Sequence, residues 1–209
     1  MGDERQSVRQ VGWPDSWSSL SSAERVRAVA AAVADGTTAV AGQILGLTTE
    51  QIREVERDQP APLPEAYRCF LLLLGGGAGH FMQGTDVYHP RILGLWSAAK
   101  ELLEENASPF RLQETDRVIS MHQGYQFDFL RGSGDDPEVW SYYEGGSPGN
   151  VPTATHERLT DWLRGIAARE ISSWHRLTAF YREEQAKHAK DRCLYYYRIN
   201  PDGTRTEEF

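Results

Sequence analysis

The sequence predicts an α+β fold in which helices pack against an antiparallel sheet. Apolar residues recur at helical spacing through most of residues 22–106, and the period changes to two over residues 117–144. A strong turn sequence, Asn200-Pro201-Asp202-Gly203, separates two short predicted strands near the end of the chain. Because helices and strands occupy separate stretches instead of alternating, we expect an antiparallel sheet.

The first half of the chain carries start and stop signals for several helices. Ser21 precedes apolar residues at helical spacing and Gly36 follows them, which is typical of a helix. Pro64 is favoured at the start of the helix that follows it, and three glycines end that helix. Pro90 limits any strand between the last two helices to a sheet edge. We predict a helix that begins near Ser21 and ends at Gly36, and further helices at Thr38–Leu45, Glu50–Asp58, Glu65–Leu74 and Leu95–Asn106.

The second half of the chain begins with strands and ends with helices and a hairpin. A tight turn at Gln123-Gly124 joins the first two strands, and Tyr125, Phe127 and Phe129 share one face of the second. The predicted strands are 117–122, 125–130 and 138–144. They are followed by a helix over Thr155–Ala168, a helix from Ser172 or Ser173 to about Asp191, and hairpin strands at 194–199 and 204–209.

Composition and charge exclude several classes of function. The chain has 209 residues, a formal net charge of −8 and a sequence pI near 5.3. This balance argues against a nucleic-acid partner, which needs a clustered basic face, and it suits a basic partner. The N-terminus lacks a secretory pattern, and the longest apolar run, Phe70–Leu74, is far shorter than the roughly 20 residues of a membrane span. We therefore expect a cytoplasmic protein without a membrane partner, with Cys69 as a small buried residue.

Motifs for catalysis or cofactor binding fail on context. The glycine run at 75–79 lacks the lysine and hydroxyl of a phosphate loop and follows a helix, so we predict that it terminates that helix. His80, Asp86 and His89 match no standard zinc spacing, and a hydrolase built on them is the least favoured hypothesis. A serine triad assembled in space stays open, since triads are defined by geometry. We predict no catalytic residue, no metal site and no cofactor.

The segment from Asp135 to Glu157 has the pattern of a binding surface. It contains five acids and no lysine or arginine, with Trp140, Tyr142 and Tyr143 among them. Acids around aromatic anchors suit a basic protein partner. The alternative is that the aromatics pack under helices and the acids only solubilise the rim. Strand alternation places Trp140, Tyr142 and Glu144 on one face. The candidate partner-binding residues are Asp135, Asp136, Glu138, Trp140, Tyr142 and Glu144.

The order of several motifs resembles a known family. Leu63-Pro64-Glu65-Ala66-Tyr67-Arg68-Cys69-Phe70-Leu71, followed by Gly75–Gly77, resembles the opening signature of the SUKH superfamily, the Smi/Knr-type domains. Further resemblances follow in the same order as in the family, at Leu93–Trp96, Asp135–Trp140 and Leu159–Leu163.

The resemblance covers about residues 48–170 and implies a non-enzymatic α+β binding domain. Residues 1–47 are then an N-terminal helical extension, and 171–209 a helix and hairpin appended to the same domain. Bacterial members resemble immunity proteins that occlude polymorphic toxins, and fungal members act as intracellular regulators. We expect a protein that neutralises a toxin domain with a basic face by direct binding. The alternative is an intracellular regulatory or scaffold module without a toxin partner. The resemblance leaves open the chemistry of the toxin, the surface that binds it, the oligomeric state and the role of the 171–209 tail.

Overall fold

Helices and antiparallel strands make up most of the computed structural model, which describes residues 12–36, 44–187, 197–199 and 205–207. The described α-helices are α1 (Ser22–Gly36), α2 (Thr49–Asp58), α3 (Glu65–Leu74), α4 (Leu95–Glu105) and α5 (Leu159–Lys187), and short 3-10 helices lie at Trp17–Ser19 and Pro148–Asn150. The described strands are β1 (Ile44–Leu45), β2 (Gly77–Ala78), β3 (Thr85–Asp86), β4 (Arg117–His122), β5 (Gln126–Arg131), β6 (Glu138–Tyr143), β7 (Thr153–Arg158), β8 (Tyr197–Ile199) and β9 (Arg205–Glu207).

The main sheet has five antiparallel strands in the order β3-β4-β5-β6-β7. Sequential strands are neighbours, so the sheet is a meander with β7 at one edge. Gln123 and Gly124 both have positive φ, +48° and +79°, and the amide of Tyr125 donates to the carbonyl of His122 at 3.2 Å, as in a type I′ β-turn. The pairs β1-β2 and β8-β9 form two further two-stranded sheets. The α+β fold with an antiparallel sheet is confirmed.

Aromatic side chains of β5 and β6 lie at the centre of the core. Phe127 and Phe129 alternate along β5, and Tyr142 of β6 lies opposite Phe127. All three are fully buried, and the ring centroids of Phe127 and Tyr142 are 5.3 Å apart. Burial of each such side chain contributes about 1.5–3 kcal/mol. This contact helps to set the register of β6, on which half of the candidate residues lie.

Three helices form the second part of the core. α1 packs against α3 and α5. Its buried face consists of Val26, Val29 and Val33, at the helical spacing that the sequence shows. In α3 the rings of Tyr67 and Phe70 are stacked 6.1 Å apart. No helix within the described ranges combines the length and apolarity needed to cross a bilayer.

The predicted helix Thr38–Leu45 is wrong at its C-terminal end. Ile44 and Leu45 form strand β1, paired with Gly77 and Ala78 of β2. The carbonyl of Leu45 accepts a hydrogen bond from the amide of Gly76, 2.8 Å away, which holds this backbone extended against the end of α3. The remainder of that predicted helix, 38–43, lies outside the described residues.

The predicted helix Thr155–Ala168 begins too early, and the break after it is absent. Residues 153–158 form β7, and one helix, α5, continues from Leu159 to Lys187. The amide of Leu159 donates to the carbonyl of Pro137, so a contact with another segment decides where the strand ends. The last four residues of the predicted second helix, 188–191, and the turn 200–203 lie outside the described residues, while β8 and β9 pair as the predicted hairpin.

Candidate partner-binding site

The candidate segment forms an edge hairpin of the main sheet. It includes the turn before β6, the strand itself, a connecting loop and most of β7. At about 3.3 Å per residue, the two ends of β6 lie roughly 17 Å apart. β6 therefore has a first end, at Glu138, and a second end, at Tyr143 and the following Glu144.

Adjacent aspartates at the first end have different environments. Asp135 is exposed, and its backbone carbonyl accepts a hydrogen bond from the amide of Ala66. The Asp136 carboxylate accepts from the amide and the hydroxyl of Thr160, at 3.0 and 2.7 Å, and lies 3.8 Å from Arg25. Its side chain is only 7% exposed. Asp136 thus caps the first turn of α5 and has little surface left for a partner.

Glu138 and Trp140 are hydrogen-bonded to each other. The indole N–H of Trp140 donates to Glu138 at 3.0 Å, and His156 Nδ1 lies 3.6 Å from the same carboxylate. The strand register places Glu138 opposite Arg131 of β5 and Arg158 of β7. Basic residues outside the candidate segment thus offset part of the negative charge that its sequence carries.

Arg131 links this end of β6 to a buried acid. Its Nε and Nη2 lie 2.9 and 2.6 Å from the carboxylate oxygens of Asp116, whose side chain is fully buried. The guanidinium also lies 4.8 Å from the ring centroids of both Phe110 and Trp140. The partly buried Trp140 ring is therefore already in contact with a cation from its own chain.

Tyr142 is not on the surface, which corrects its inclusion among the candidate partner-binding residues. The side chain is fully buried, and its hydroxyl donates to Asn150 Oδ1 at 2.7 Å. Asn150 in turn donates to the carbonyl of Asn106 at 2.6 Å. Burial, and secondarily the charge of Glu144, raises the pKa of Tyr142. Strand alternation assigns each residue to one face of β6, but it does not show which face is buried. Val139, three residues before Tyr142 and by alternation on the opposite face, is also fully buried.

A concavity of about 300 Å³ opens at the first end of β6. Its walls include Glu138 from β6 and His156, Glu157 and Arg158 from β7. His156 has φ +62°, an uncommon value for a non-glycine residue, where the pairing of β6 and β7 is irregular. The pocket carries both signs of charge, so it suits a polar group of a partner and not an apolar ligand.

The second end of β6 exposes a tyrosine that the candidate list omitted. Tyr143 is 48% exposed and Glu144 beside it is exposed. Tyr125, predicted to share the face of the buried phenylalanines, lies in the turn before β5, and its ring contacts His122 and Tyr143. The sequence does contain a signal for this exposure, because two glycines follow Glu144 and a buried strand is not expected to continue through them.

Asp128 is a buried acid that sequence reasoning did not single out. It accepts hydrogen bonds from Ser120 Oγ at 2.7 Å and from Ser141 Oγ. Burial raises the pKa of Asp128 in spite of these two bonds. Sequence alone does not reveal this arrangement because it depends on the registers of β4 and β6 against β5.

The residues of the hydrolase hypothesis have separate partners. His80 stacks on Trp174 with centroids 4.1 Å apart, Asp86 lies 3.4 Å from Arg91, and His89 Nε2 lies 2.9 Å from a carboxylate of α2. Within the described ranges, no group of three His, Cys, Asp or Glu residues is placed to hold a metal. The glycines after α3 end that helix, as predicted.

Cys69 is buried, as predicted. Burial raises the pKa of its thiol, so the thiolate is disfavoured.

The five-stranded meander packed against helices and the ordered motifs described above define the class of domain: an α+β domain of SUKH type. The family model of the SMI1 / KNR4 family (SUKH-1) matches residues 46–165, and the chain belongs to this family. Members of the family are generally not enzymes. The search among curated proteins found no match.

Proposed function

We propose that this chain is an immunity-type binding domain that neutralises a toxin domain with a basic face by occluding it. The observation that carries the proposal is the pair of exposed acids that flank β6, beside a concavity of about 300 Å³ on the β6–β7 hairpin. Exposed acids lie at both ends of that hairpin, Asp135 before β6 and Glu144 after it. The overall net charge of −8 would add long-range attraction to a basic partner.

The proposal is tested by co-expression with a toxin domain encoded beside the gene. We expect the chain to protect cells from that domain and the two purified proteins to bind directly. Failure of both, together with co-purification with enzymes of a standing pathway, would instead support an intracellular regulatory or scaffold module.

Charge reversal at the rim tests the surface. Asp135→Lys combined with Glu144→Lys should lower the association rate several-fold at low salt, because both acids are exposed and would attract a basic partner. Asp136 is left unchanged because it caps α5. Stopped-flow binding at two salt concentrations measures the effect, and thermal unfolding should be unchanged.

The matched control is Glu101→Lys combined with Glu114→Lys, which changes the net charge by the same amount at two exposed acids outside the hairpin. An equal loss of association rate in the control would show that net charge, and not this surface, attracts the partner.

A further inference from the structure

The second end of β6 carries three aromatic rings in a row, which we call the aromatic corner (His122, Tyr125 and Tyr143). The Tyr125 ring is nearly perpendicular to both neighbours, with centroids 5.6 Å from His122 and 5.6 Å from Tyr143. Tyr143 is the most exposed of the described large hydrophobic side chains on the five-stranded sheet, at 48%.

The backbone around Tyr143 holds this exposed ring in place. Its amide donates to Ser147 Oγ at 2.8 Å, and its carbonyl accepts from the amides of Gly146 and Ser147 at 3.1 and 2.9 Å. Gly146 lies so close that a Cβ there would be 2.0 Å from Cδ1 of the tyrosine ring. An exposed tyrosine that is already ordered loses little conformational entropy on binding, as in interface hot spots.

The aromatic corner differs from the rings of Trp140 and Trp17, each of which has an arginine of its own chain over it. Arg131 lies over Trp140, and Arg164 lies 4.5 Å from the ring centroid of Trp17. In the part of the chain that the structure describes, no arginine lies over Tyr125 or Tyr143. The nearest charge along the chain is Glu144, which is exposed and negative.

We propose that the aromatic corner binds an arginine side chain of the protein partner, with the guanidinium over the Tyr143 ring and Glu144 supplying negative charge beside it. Arginine fits better than lysine because its planar, weakly hydrated cation stacks on an aromatic face. This inference rests on the proposed function only in that the partner is a basic protein.

The test uses the full-length protein and a defined probe, the peptide Ac-Gly-Arg-Gly-Arg-Gly-NH2. Ring NMR signals of ¹³C-labelled tyrosine are followed during titration with this peptide and with the same peptide carrying citrulline, a neutral isostere of arginine. The arginine peptide should shift the Tyr143 and Tyr125 signals in a saturable way. Citrulline should leave them in place, and equal binding of both peptides would overturn the proposal.

Three variants locate the site. Tyr143→Thr should weaken arginine-peptide binding about two- to fivefold, as expected for one exposed cation–π contact. Glu144→Gln should weaken it less, and the weakening should vanish at high salt. Glu114→Gln should have no effect, because this exposed acid precedes the start of β4, at the end of the strand away from His122. Full binding by both Tyr143→Thr and Glu144→Gln would overturn the assignment.

The outcome is separable from that of the proposed function. Peptide binding at the aromatic corner without protection from a toxin would reject the immunity role and keep the arginine site. If the chain protects cells from the toxin, Tyr143→Thr protects equally well and the peptide does not bind, the immunity role is kept and the arginine site is rejected.

Discussion

The two ends of strand β6 have similar composition and opposite surroundings. At the first end Glu138 and Trp140 are bonded to each other, and Arg131 covers the indole. At the second end Tyr143 and Glu144 face outward, with no arginine over the tyrosine among the described residues. A glutamate beside an aromatic is therefore not a binding motif in itself. Whether it is available to a partner depends on which residues of β5 and β7 lie across from it.

The largest expected effect comes from removing the cation at the first end. Arg131→Ala should lower the free energy of unfolding by about 3–5 kcal/mol, because it leaves the carboxylate of Asp116 buried without its charged partner. Urea denaturation measures the change. The control is Arg158→Ala, an exposed arginine opposite the same Glu138, which should change stability by about 0.5 kcal/mol or less. Equal losses of stability in the two variants would show that the ion pair of Arg131 with Asp116 contributes no more than an exposed arginine does.

Adjacent aspartates give the next largest contrast. Asp136→Ala should lower the free energy of unfolding by about 1–2 kcal/mol, since it removes the cap of α5. Asp135→Ala should change it by about 0.5 kcal/mol or less, because that side chain is exposed. Asp136→Asn keeps one acceptor and should fall between them. If both alanine variants behave alike, the helix does not depend on this cap.

Local sequence patterns predicted most of the helices and the three central strands of the main sheet. The features that they did not predict depend on contacts between distant segments of the chain. The period of two gave β4, β5 and β6 within one residue, and the Gln123-Gly124 turn was placed correctly. The start of α5 was misplaced because its cap, Asp136, comes from another segment. The exposure of Asp135 and burial of Tyr142 likewise follow from tertiary packing, which alternation along one strand does not specify.

Between the two ends of β6, Asp128 makes stability depend on pH. Burial raises its pKa in the folded state, so folding favours the protonated carboxyl. Its contribution is fully present below the unfolded pKa, near 3.9, and is lost as the pH rises through the folded pKa. The groups facing it are the hydroxyls of Ser120 and Ser141, with His122 nearby.

Asp128→Asn removes this proton linkage. The variant should be the more stable form at neutral pH and lose that advantage in acid, although the amide replaces one acceptor oxygen and offsets part of the gain. Urea midpoints of both proteins between pH 3 and pH 8 test the crossing. Parallel curves over this range would show that Asp128 does not titrate differently on folding.

The smallest expected effect on stability comes from a variant that tests whether the Tyr143 ring at the second end is held in place. Gly146→Ala keeps every atom of Tyr143, yet its new Cβ would fall 2.0 Å from Cδ1 of the ring and must displace it. The side chain is half exposed, so the ring can move, and the free energy of unfolding should change by about 0.5 kcal/mol or less. NOEs between the Tyr125 and Tyr143 rings should disappear, whereas Tyr143→Phe should keep them because it retains the ring. Unchanged NOEs in Gly146→Ala would mean that Gly146 does not hold the ring. The inference that the Tyr143 ring is ordered before it binds a partner would then be wrong.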